Sequence, residues 1–429
     1  MSHLYNKEVE FVPHILDAFG KLRVSQPYTL GDYKHLYGID PNFRDTLTNG
    51  GTVTFQSNQS CARLATTNNP ASSVIHQTKM YHHYMPGKSQ FMESSFNFYA
   101  PVVNVTKRTG YFDSNNGIYF EQAGDGTLSF CIRSDVSGTP DDTRKIPQSQ
   151  WNINTCNTSI TGSDANAINY GEGGTWDLDI TKTQIMFVDF QWLGVGKVRC
   201  GFIHDGKIVI AHEFLNSNAQ PTVYMRNPNL PVRCEIFNSG TTPGGYMDQI
   251  CSTVSSEGGY VEAGQNWAAS SNAKVLAAAT TLPVMAIRLK NTFNGYKNRA
   301  IVRLDSTDVF STADNIRYNI RKLPDDGAIS VGSNTWISVH ANSVVEYIDT
   351  CYSFLDGEEM SNGFVSAVAQ NSQRATAGPA DSITGPNAKK NYITQNYESS
   401  NSEIYVVTAT NIGTVSTNVF VGMSWREIY

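Results

Sequence analysis

The chain has 429 residues, 40% hydrophobic and only 16% charged, with a net charge of −6 and a sequence pI near 5.9. That length calls for two or three domains rather than one. The lysines and arginines are scattered, which excludes phosphate-backbone recognition as a main task, because that needs a clustered basic surface.

Residues 1–50 are punctuated by Pro13, Pro27 and Pro41, and their apolar residues follow no long period. They are expected to form an extended N-terminal arm with one short strand at Leu22–Val24. Glu8 and Glu10 interrupt what would be the apolar core of a signal peptide, so none is expected. An arm that cannot bury itself lies on a neighbouring domain or subunit. Its candidate assembly contacts are Phe19, Leu22, Arg23, Val24 and Tyr28.

Residues 51–262 alternate strands and turns. GTVTFQ opens the run, and SQFMESSFNFYAPV places Phe96 and Phe98 on one face. GIYFEQ and GTLSFCIRS are joined by a tight turn at Ala123-Gly124-Asp125-Gly126, and 149–170 is a polar loop around Trp151. Residues 183–214 then read as three strands in succession. Met186, Val188, Phe190 and Trp192 share one face of the first. Val198, Cys200 and Phe202 share one face of the second, and Ile208, Ile210, His212 and Phe214 one face of the third. Asp205-Gly206 between alternating runs is a hairpin signal. The charged residues Asp189, Lys197, Arg199 and Glu213 fall on the other face, expected to be wet. PVRCEIFN and YMDQICSTV return to complete a two-sheet sandwich with the turn spacing of such folds.

Residues 263–283 are rich in Ala, Ser and Asn and read as a linker, with AKVLAAATT able to form a short helix. A second sandwich follows over 284–429, interrupted by a long exposed loop at 370–402. EIYVVTATN and TNVFVGMSW flank Asn411-Ile412-Gly413 and read as a closing hairpin. The expected fold is all-β: two tandem antiparallel, jelly-roll-like β-sandwiches behind an extended N-terminal arm, the first of concanavalin or laminin-G type. Cys61, Cys131, Cys156, Cys200, Cys234, Cys251 and Cys351 lie far apart without a C-x-x-C pair, which points to reduced thiols and assembly in the cytoplasm. No apolar run approaches the ~20 residues needed to span a bilayer.

Candidate chemistry is sparse. His82-His83 would point to opposite faces of a strand and have no third ligand nearby, so a polar loop or edge outweighs a metal site. His204 flanks the Asp205-Gly206 turn, and His212 sits on an apolar face as a satisfied core histidine. Asp135, Asp141 and Asp142 share a loop without EF-hand spacing and read as solvated rather than calcium-binding. Asp113, Asn115 and Asn116 are turn formers. Glu93, Glu121, Asp189 and Glu213 lie on strands, and no spacing pairs them for glycoside hydrolysis. Gly194-x-Gly196 continues into a strand rather than a helix, so it is no phosphate loop. Trp192 shares a face with Phe190 and reads as core, whereas Trp151 is the candidate sugar-stacking residue. No metal and no cofactor are expected.

Six segments, DAFGKLRVSQPYTLGDYK (17–34), TGYFDSNNGIYFEQ (109–122), QWLGVGKVRCGF (191–202), YMRNPNLPVRCEI (224–236), ICSTVSSEGGY (250–260) and SWREIY (424–429), together resemble poorly characterised virion structural proteins of tailed bacteriophages, notably phages of aquatic bacteria including cyanobacteria. The resemblance covers most of the chain. Lys21 stands where that family usually has arginine, and Gly31 where an aromatic is common. The resemblance implies a non-enzymatic component of a virus particle, assembled in the host cytoplasm and docked to other virion proteins (capsid, neck or tail). A homo-oligomer is expected, a trimer first, because particle axes demand symmetric attachment. The alternative is a carbohydrate- or receptor-binding module that recognises host surface polysaccharide. A polysaccharide-degrading enzyme is the third reading, and no motif supports it.

Overall fold

A computed structural model describes residues 18, 27–157, 159, 177–261, 263–324, 335–354, 357–368, 371–372, 375–377, 392–396 and 401–429. They form an all-β protein of two compact units: Met1–Thr78 with His82–Val261, and Lys79–Tyr81 with Glu262–Tyr429. The expected fold class, with a two-sheet sandwich in each unit, is the observed one.

The first unit begins with β1 (Tyr28–Lys34), β2 (Phe43–Thr48), β3 (Thr52–Gln56), β4 (Cys61–Ala65) and β5 (Ser73–Thr78). It continues with β6 (Ser89–Asn97), β7 (Val105–Phe112), β8 (Gly117–Gln122), β9 (Leu128–Ser134) and β10 (Asp141–Pro147). Then come β11 (Gln184–Phe190), β12 (Val198–His204), β13 (Lys207–Phe214), β14 (Val232–Asn238) and β15 (Tyr246–Glu257). One sheet runs β13-β12-β11-β6-β15-β4-β3, with β1 also paired to β15. The other runs β10-β9-β8-β7-β14-β5-β2. Phe96, Phe120, Phe130, Phe190, Phe202 and Val254 fill the space between them. The two strands latest in sequence, β14 and β15, sit inside their sheets rather than at an edge.

The meander over 183–214 is present as β11, β12 and β13, with Met186, Val188, Phe190, Val198, Cys200 and Phe202 in the core. Asp205 and Gly206 both take positive φ (48° and 74°), as a type I′ hairpin requires. The expected single face of β13 is not observed. A bulge between Cys200 and Gly201 inserts Ala211, so Ile210 and Ile208 turn outward beside Phe187 while Phe214 packs in the core. The outer face is correspondingly not wet. Asp189 and Arg199 are buried there, because Phe91, Phe187 and Ile210 gather Ile153, whose N–H binds the Ala211 carbonyl.

The arm is shorter than expected. Tyr28–Lys34 and Phe43–Thr48 are strands of the two sheets, and Leu30 and Phe43 are buried. Phe19, Leu22, Arg23 and Val24, and the strand expected at 22–24, lie outside the described residues.

The second unit begins with β16 (Gln265–Ser270), β17 (Lys274–Leu276), β18 (Thr281–Leu289), β19 (Thr292–Phe293), β20 (Tyr296–Lys297) and β21 (Ile301–Ser311). Next are β22 (Ile316–Leu323), β23 (Ile337–Ser338), β24 (Val345–Ile348), β25 (Glu358–Val365), β26 (Ala367–Val368) and β27 (Asn371–Ser372). Last are β28 (Ala375–Ala377), β29 (Tyr392–Ile393), β30 (Ile404–Asn411) and β31 (Thr417–Ile428). One sheet runs β16-β31-β21-β28, with β17 on β31 and β29 on β21. The other runs β23-β24-β18-β30-β22-β25. Val302, Val309, Val407, Val421 and Trp425 lie in the core between them.

Three expectations for this unit are corrected. The 263–283 linker contains β16 and β17, both paired to β31, and AKVLAAATT holds a strand and a turn rather than a helix. The 370–402 loop contains β28 and β29, both paired to β21. The closing hairpin is an arch: β30 pairs β18 and β22 in one sheet, while β31 pairs β16 and β21 in the other. Asn411 holds that arch, its Nδ2 donating to the carbonyls of Leu276 and Val415 and its Oδ1 accepting from Gly413 N–H.

Candidate functional site

Trp151, the expected sugar platform, is only 3% exposed. It packs against Phe120, Phe130 and Phe202, and its indole N–H donates to the Ile146 carbonyl. A ring so enclosed presents no face to a ligand, and its polar neighbours in sequence concealed that. Trp192 is half-buried against the core, donating to the Met225 carbonyl.

The titratable candidates are consumed by structure. His82 is buried, its Nε2 accepting from Tyr33 and its Nδ1 donating to the Leu230 carbonyl, so the polar-loop expectation fails for it. His83 lies apart, half-buried beside Tyr260. His204 is surface-exposed, 3.6 Å from Asp205. His212 is the satisfied core histidine expected: it accepts the Asn152 N–H, and burial, with Arg144 nearby, lowers its imidazole to about 4. Asp113 accepts from the N–H groups of Asn115 and Asn116, as a turn former does. The expectation of a solvated loop fails for Asp135, which is buried against Arg226 at 2.6 Å; Asp142 pairs with Arg133, and Asp141 holds the Thr143 N–H. Glu213 pairs with Lys197 and Arg199, and Asp189 accepts from Ser89. Among the described residues, no group of three His, Cys, Asp or Glu side chains is placed to hold a metal.

On the outer face of the second sheet, β7, β8, β10 and β14 carry a ladder of charges. Arg108 lies 2.7 Å from both Glu121 and Glu235, Lys145 pairs with Glu121, and Arg233 with Glu235. Burial pushes the Glu235 carboxyl up, but Arg233, Arg108 and Arg133 outweigh it and hold it at about 2. These groups neutralise one another, and all but Lys145 are buried or half-buried, so the ladder is structural.

One cluster remains open to solvent. β6 ends at Asn97, and Phe98-Tyr99-Ala100 turns out of the sheet ahead of Pro101, which has no N–H to continue a ladder. Tyr99 has φ 57°, a conformation rare for an aromatic residue and costing about 1–3 kcal/mol. The surroundings compel it. Asn97 Oδ1 accepts the Tyr99 N–H at 2.8 Å. Buried Lys107 donates to the carbonyls of Phe98 and Ala100, and Gln122 donates to that of Tyr99. Three consecutive carbonyls are therefore held from the core side. Burial without a carboxylate partner lowers the Lys107 ammonium to about 8.

The ring so placed meets β4 and β15. In register, Asp248 lies opposite both Arg63 and Asn97. Arg63 grips Asp248 through Nε and Nη2, both at 2.8 Å, and Tyr99 donates its hydroxyl to the same carboxylate at 2.5 Å. The bidentate bond to Asp248 raises the Arg63 guanidinium. Burial, then Asp248, pushes the Tyr99 phenol up to about 12. Tyr246, two residues before Asp248 on the same face, stacks over the guanidinium at 4.7 Å and stands 4.7 Å from the Tyr99 ring. Tyr246 is 43% exposed, Asp248 only 3%. The result is a fixed aromatic platform with a neutral ion pair in its floor. Arg63 Nη1 makes no hydrogen bond to the described residues and offers two donors beside the exposed ring. Sequence reasoning missed this site. Lys107, alternating with Val105 and Tyr111 on an apolar face, was the available signal.

No family model matches the sequence, and no curated protein does. Among solved structures, the carbohydrate recognition domain of Emp47p is 11% identical with a TM-score of 0.30, over 53% of this chain and 94% of that one. Peanut lectin is 11% identical with a TM-score of 0.30, over 54% and 98%. A protein of unknown function from Shewanella oneidensis MR-1 is 9% identical with a TM-score of 0.33, over 54% and 88%. Likenesses this distant carry no argument about function.

Proposed function

We propose that this protein is a non-enzymatic structural component of a virus particle whose first unit recognises a neutral saccharide on the host surface. The recognition half rests on the Tyr99–Tyr246–Arg63–Asp248 platform. An exposed, rigid aromatic face suits the flat C–H face of a sugar ring, and Arg63 Nη1 and the Tyr246 hydroxyl are placed to bind its oxygens. Because Arg63 is already neutralised by Asp248, the site has no excess charge to favour an anion. Hydrolysis needs two carboxylates flanking the bond; Asp248 is buried and engaged by Arg63 and Tyr99. Tyr246→Ala is expected to weaken binding to neutral oligosaccharides on a glycan array about tenfold, with an unchanged melting temperature, because the ring is surface-exposed. Undiminished binding by that variant, or no binding of the wild type to any neutral glycan, would count against the reading.

The particle half is supported by the resemblance of the six segments. Docking to other virion proteins is assigned to residues 1–26, which precede the first strand, and a homo-oligomer, a trimer first, is the matching assembly. A deletion through residue 30 would cut Tyr28–Leu30 out of β1, and Leu30 is core. Deleting residues 1–26 is expected instead to leave a cooperative melt and strand-rich circular dichroism while removing the protein from purified particles, read by mass spectrometry. Incorporation at the wild-type level would retire the docking role.

A further inference from the structure

β1 and β2 belong to different sheets of the first unit, and the connection between them, residues 35–42, begins on a set of buried rings. β1 ends at Lys34, opposite Cys251, and the next residue, His35, reaches Gln249 across the register irregularity in β15 between Gln249 and Cys251. Phe43 of β2 stacks on His76 of β5, with ring centroids 4.2 Å apart and planes 4° from parallel. The His35 ring stands 5.4 Å from Phe43 and 5.5 Å from His76. Both imidazoles are fully buried, whereas Leu36 and Tyr37 at the tip of the connection are 51% and 99% exposed. The connection folds back on itself through Asp40. Its Oδ1 accepts from the N–H and the side-chain amide of Asn42, its Oδ2 from the Lys34 N–H, and its carbonyl from the Phe43 N–H.

One further bond fixes the protonation state of His35. The Asp40 N–H donates to His35 Nδ1 at 2.9 Å. A backbone N–H only donates, so Nδ1 carries a lone pair, and the ring proton sits on Nε2, where it is donated to Gln249 Oε1. The closed connection therefore holds His35 neutral. A second proton has one place to go, Nδ1, and the Asp40 N–H occupies it. Two donors facing each other at that distance repel, so an imidazolium and the closed connection exclude one another. The charged and titratable groups around the ring are Asp40 on its own connection, Asp45 on β2 and His76 on β5, while β15 supplies the uncharged Gln249. Neither carboxylate stands free to take a new N–H: Asp40 is engaged as above, and Asp45 is paired with His76 Nδ1. Burial, opposed by the Gln249 acceptor, holds the His35 imidazole below its ordinary value.

We propose that His35 is an acid-sensitive clasp on the β1–β2 connection: a proton taken from solvent onto Nδ1 displaces the Asp40 N–H, and residues 35–42 open with Leu36 and Tyr37 at their tip while both sheets stay closed. Above about pH 6.5, the ordinary histidine value, the clasp is shut. As pH falls below it, the open form gains a proton that the closed form cannot hold, and opening rises by up to about tenfold per pH unit. Hydrogen exchange of the full-length protein tests this, read by mass spectrometry on peptides spanning 34–43 and corrected for intrinsic rates. The amides of Lys34, Asp40, Asn42 and Phe43 are expected to open about tenfold more readily at pH 5 than at pH 7.5. His212, also held low, weakens the whole unit over the same range. Peptides of β8 and β9 report that global effect and are expected to stay closed at both pH values. His35→Asn keeps an acceptor for the Asp40 N–H and takes no proton, so its 34–43 peptides are expected to open equally at both. His76→Gln leaves the two His35 bonds in place and is expected to keep the wild-type dependence. Opening that is flat with pH in the wild type, that changes only together with β8 and β9, or that keeps its pH dependence in His35→Asn overturns the proposal. Dependence lost in His76→Gln would place the titration on His76 and overturn it as well.

Discussion

Arg108→Met is expected to cost about 3–5 kcal/mol of stability at neutral pH, the usual result of removing one member of a buried ion-pair set. Arg108 is 13% exposed and lies 2.7 Å from both Glu121 and Glu235, which are 4% and 9% exposed. Its loss leaves Glu235 with Arg233 and Glu121 with Lys145. The acid side provides a second readout. Glu235 is held at about 2 when folded, below the roughly 4.3 of an unfolded glutamate. A depressed carboxyl contributes stability that is present above the unfolded value and disappears as pH falls through the folded one. Removing Arg108 raises the folded value, narrows that window and moves the acid-unfolding midpoint to higher pH. Urea titrations at pH 7 and an acid titration followed by tryptophan fluorescence measure both effects. Adding Glu121→Gln is expected to recover part of the loss, because the remaining Lys145 is 36% exposed and can be hydrated. A loss under about 1 kcal/mol at pH 7 would mean that the ladder is bridged by water and not by charge.

The second large effect concerns Lys107. Its ammonium, about 8 in the folded protein, titrates near 10.4 in an unfolded chain. Between those values the unfolded state holds more protons, so the contribution of Lys107 to stability rises with pH, by up to about 3 kcal/mol. Comparing wild type with Lys107→Met isolates this change from the buried tyrosines and cysteines, whose raised ionisation acts in the opposite direction above pH 9. The stability difference is expected to move toward the wild type between pH 7 and pH 10 in guanidinium titrations, and a flat difference would refute the assignment. The same variant removes the donors to the Phe98 and Ala100 carbonyls. Tyr99 then loses part of the support for its positive φ, and if the proposed saccharide site is correct its affinity is expected to fall even though Lys107 does not line it.

Much of the sheet structure was legible because a strand with one buried face records that face at every second position. Val198, Cys200 and Phe202 show it, and Asp205-Gly206 marks its hairpin by chemistry alone. What was hidden depends on contacts far apart in sequence. Ala211 forms a bulge only because β12 fixes the register, and nothing local in KIVIAHEF announces it. Asp189 alternates with core residues and looks solvent-facing, yet the segment around Ile153 covers that side. Trp151 looks exposed among polar neighbours until the core aromatics close on it. The arch at 411–413 imitates a hairpin because turn residues say that the chain reverses, not which sheet it joins. The Tyr99 platform joins residues from three separate stretches, and Arg63 and Asp248 are 185 positions apart. Only the lysine among apolar neighbours at 107 offered a local sign of it.

The places of β14 and β15 inside their sheets set a schedule for synthesis. β5 and β7 wait for β14, and β4, β6 and β1 wait for β15, so one sheet of the first unit stays open until Asn238 has been made and the other until Glu257. The roughly 190 residues from β4 to that point take about 10–40 s at ~5–20 residues per second. Throughout that interval the nascent chain exposes unpaired edges and apolar faces such as Phe96 and Val74, the condition in which strands pair with the wrong chain. Release of the ribosome before residue 257 therefore yields an aggregating fragment, while a chain that passes it has every strand of both sheets.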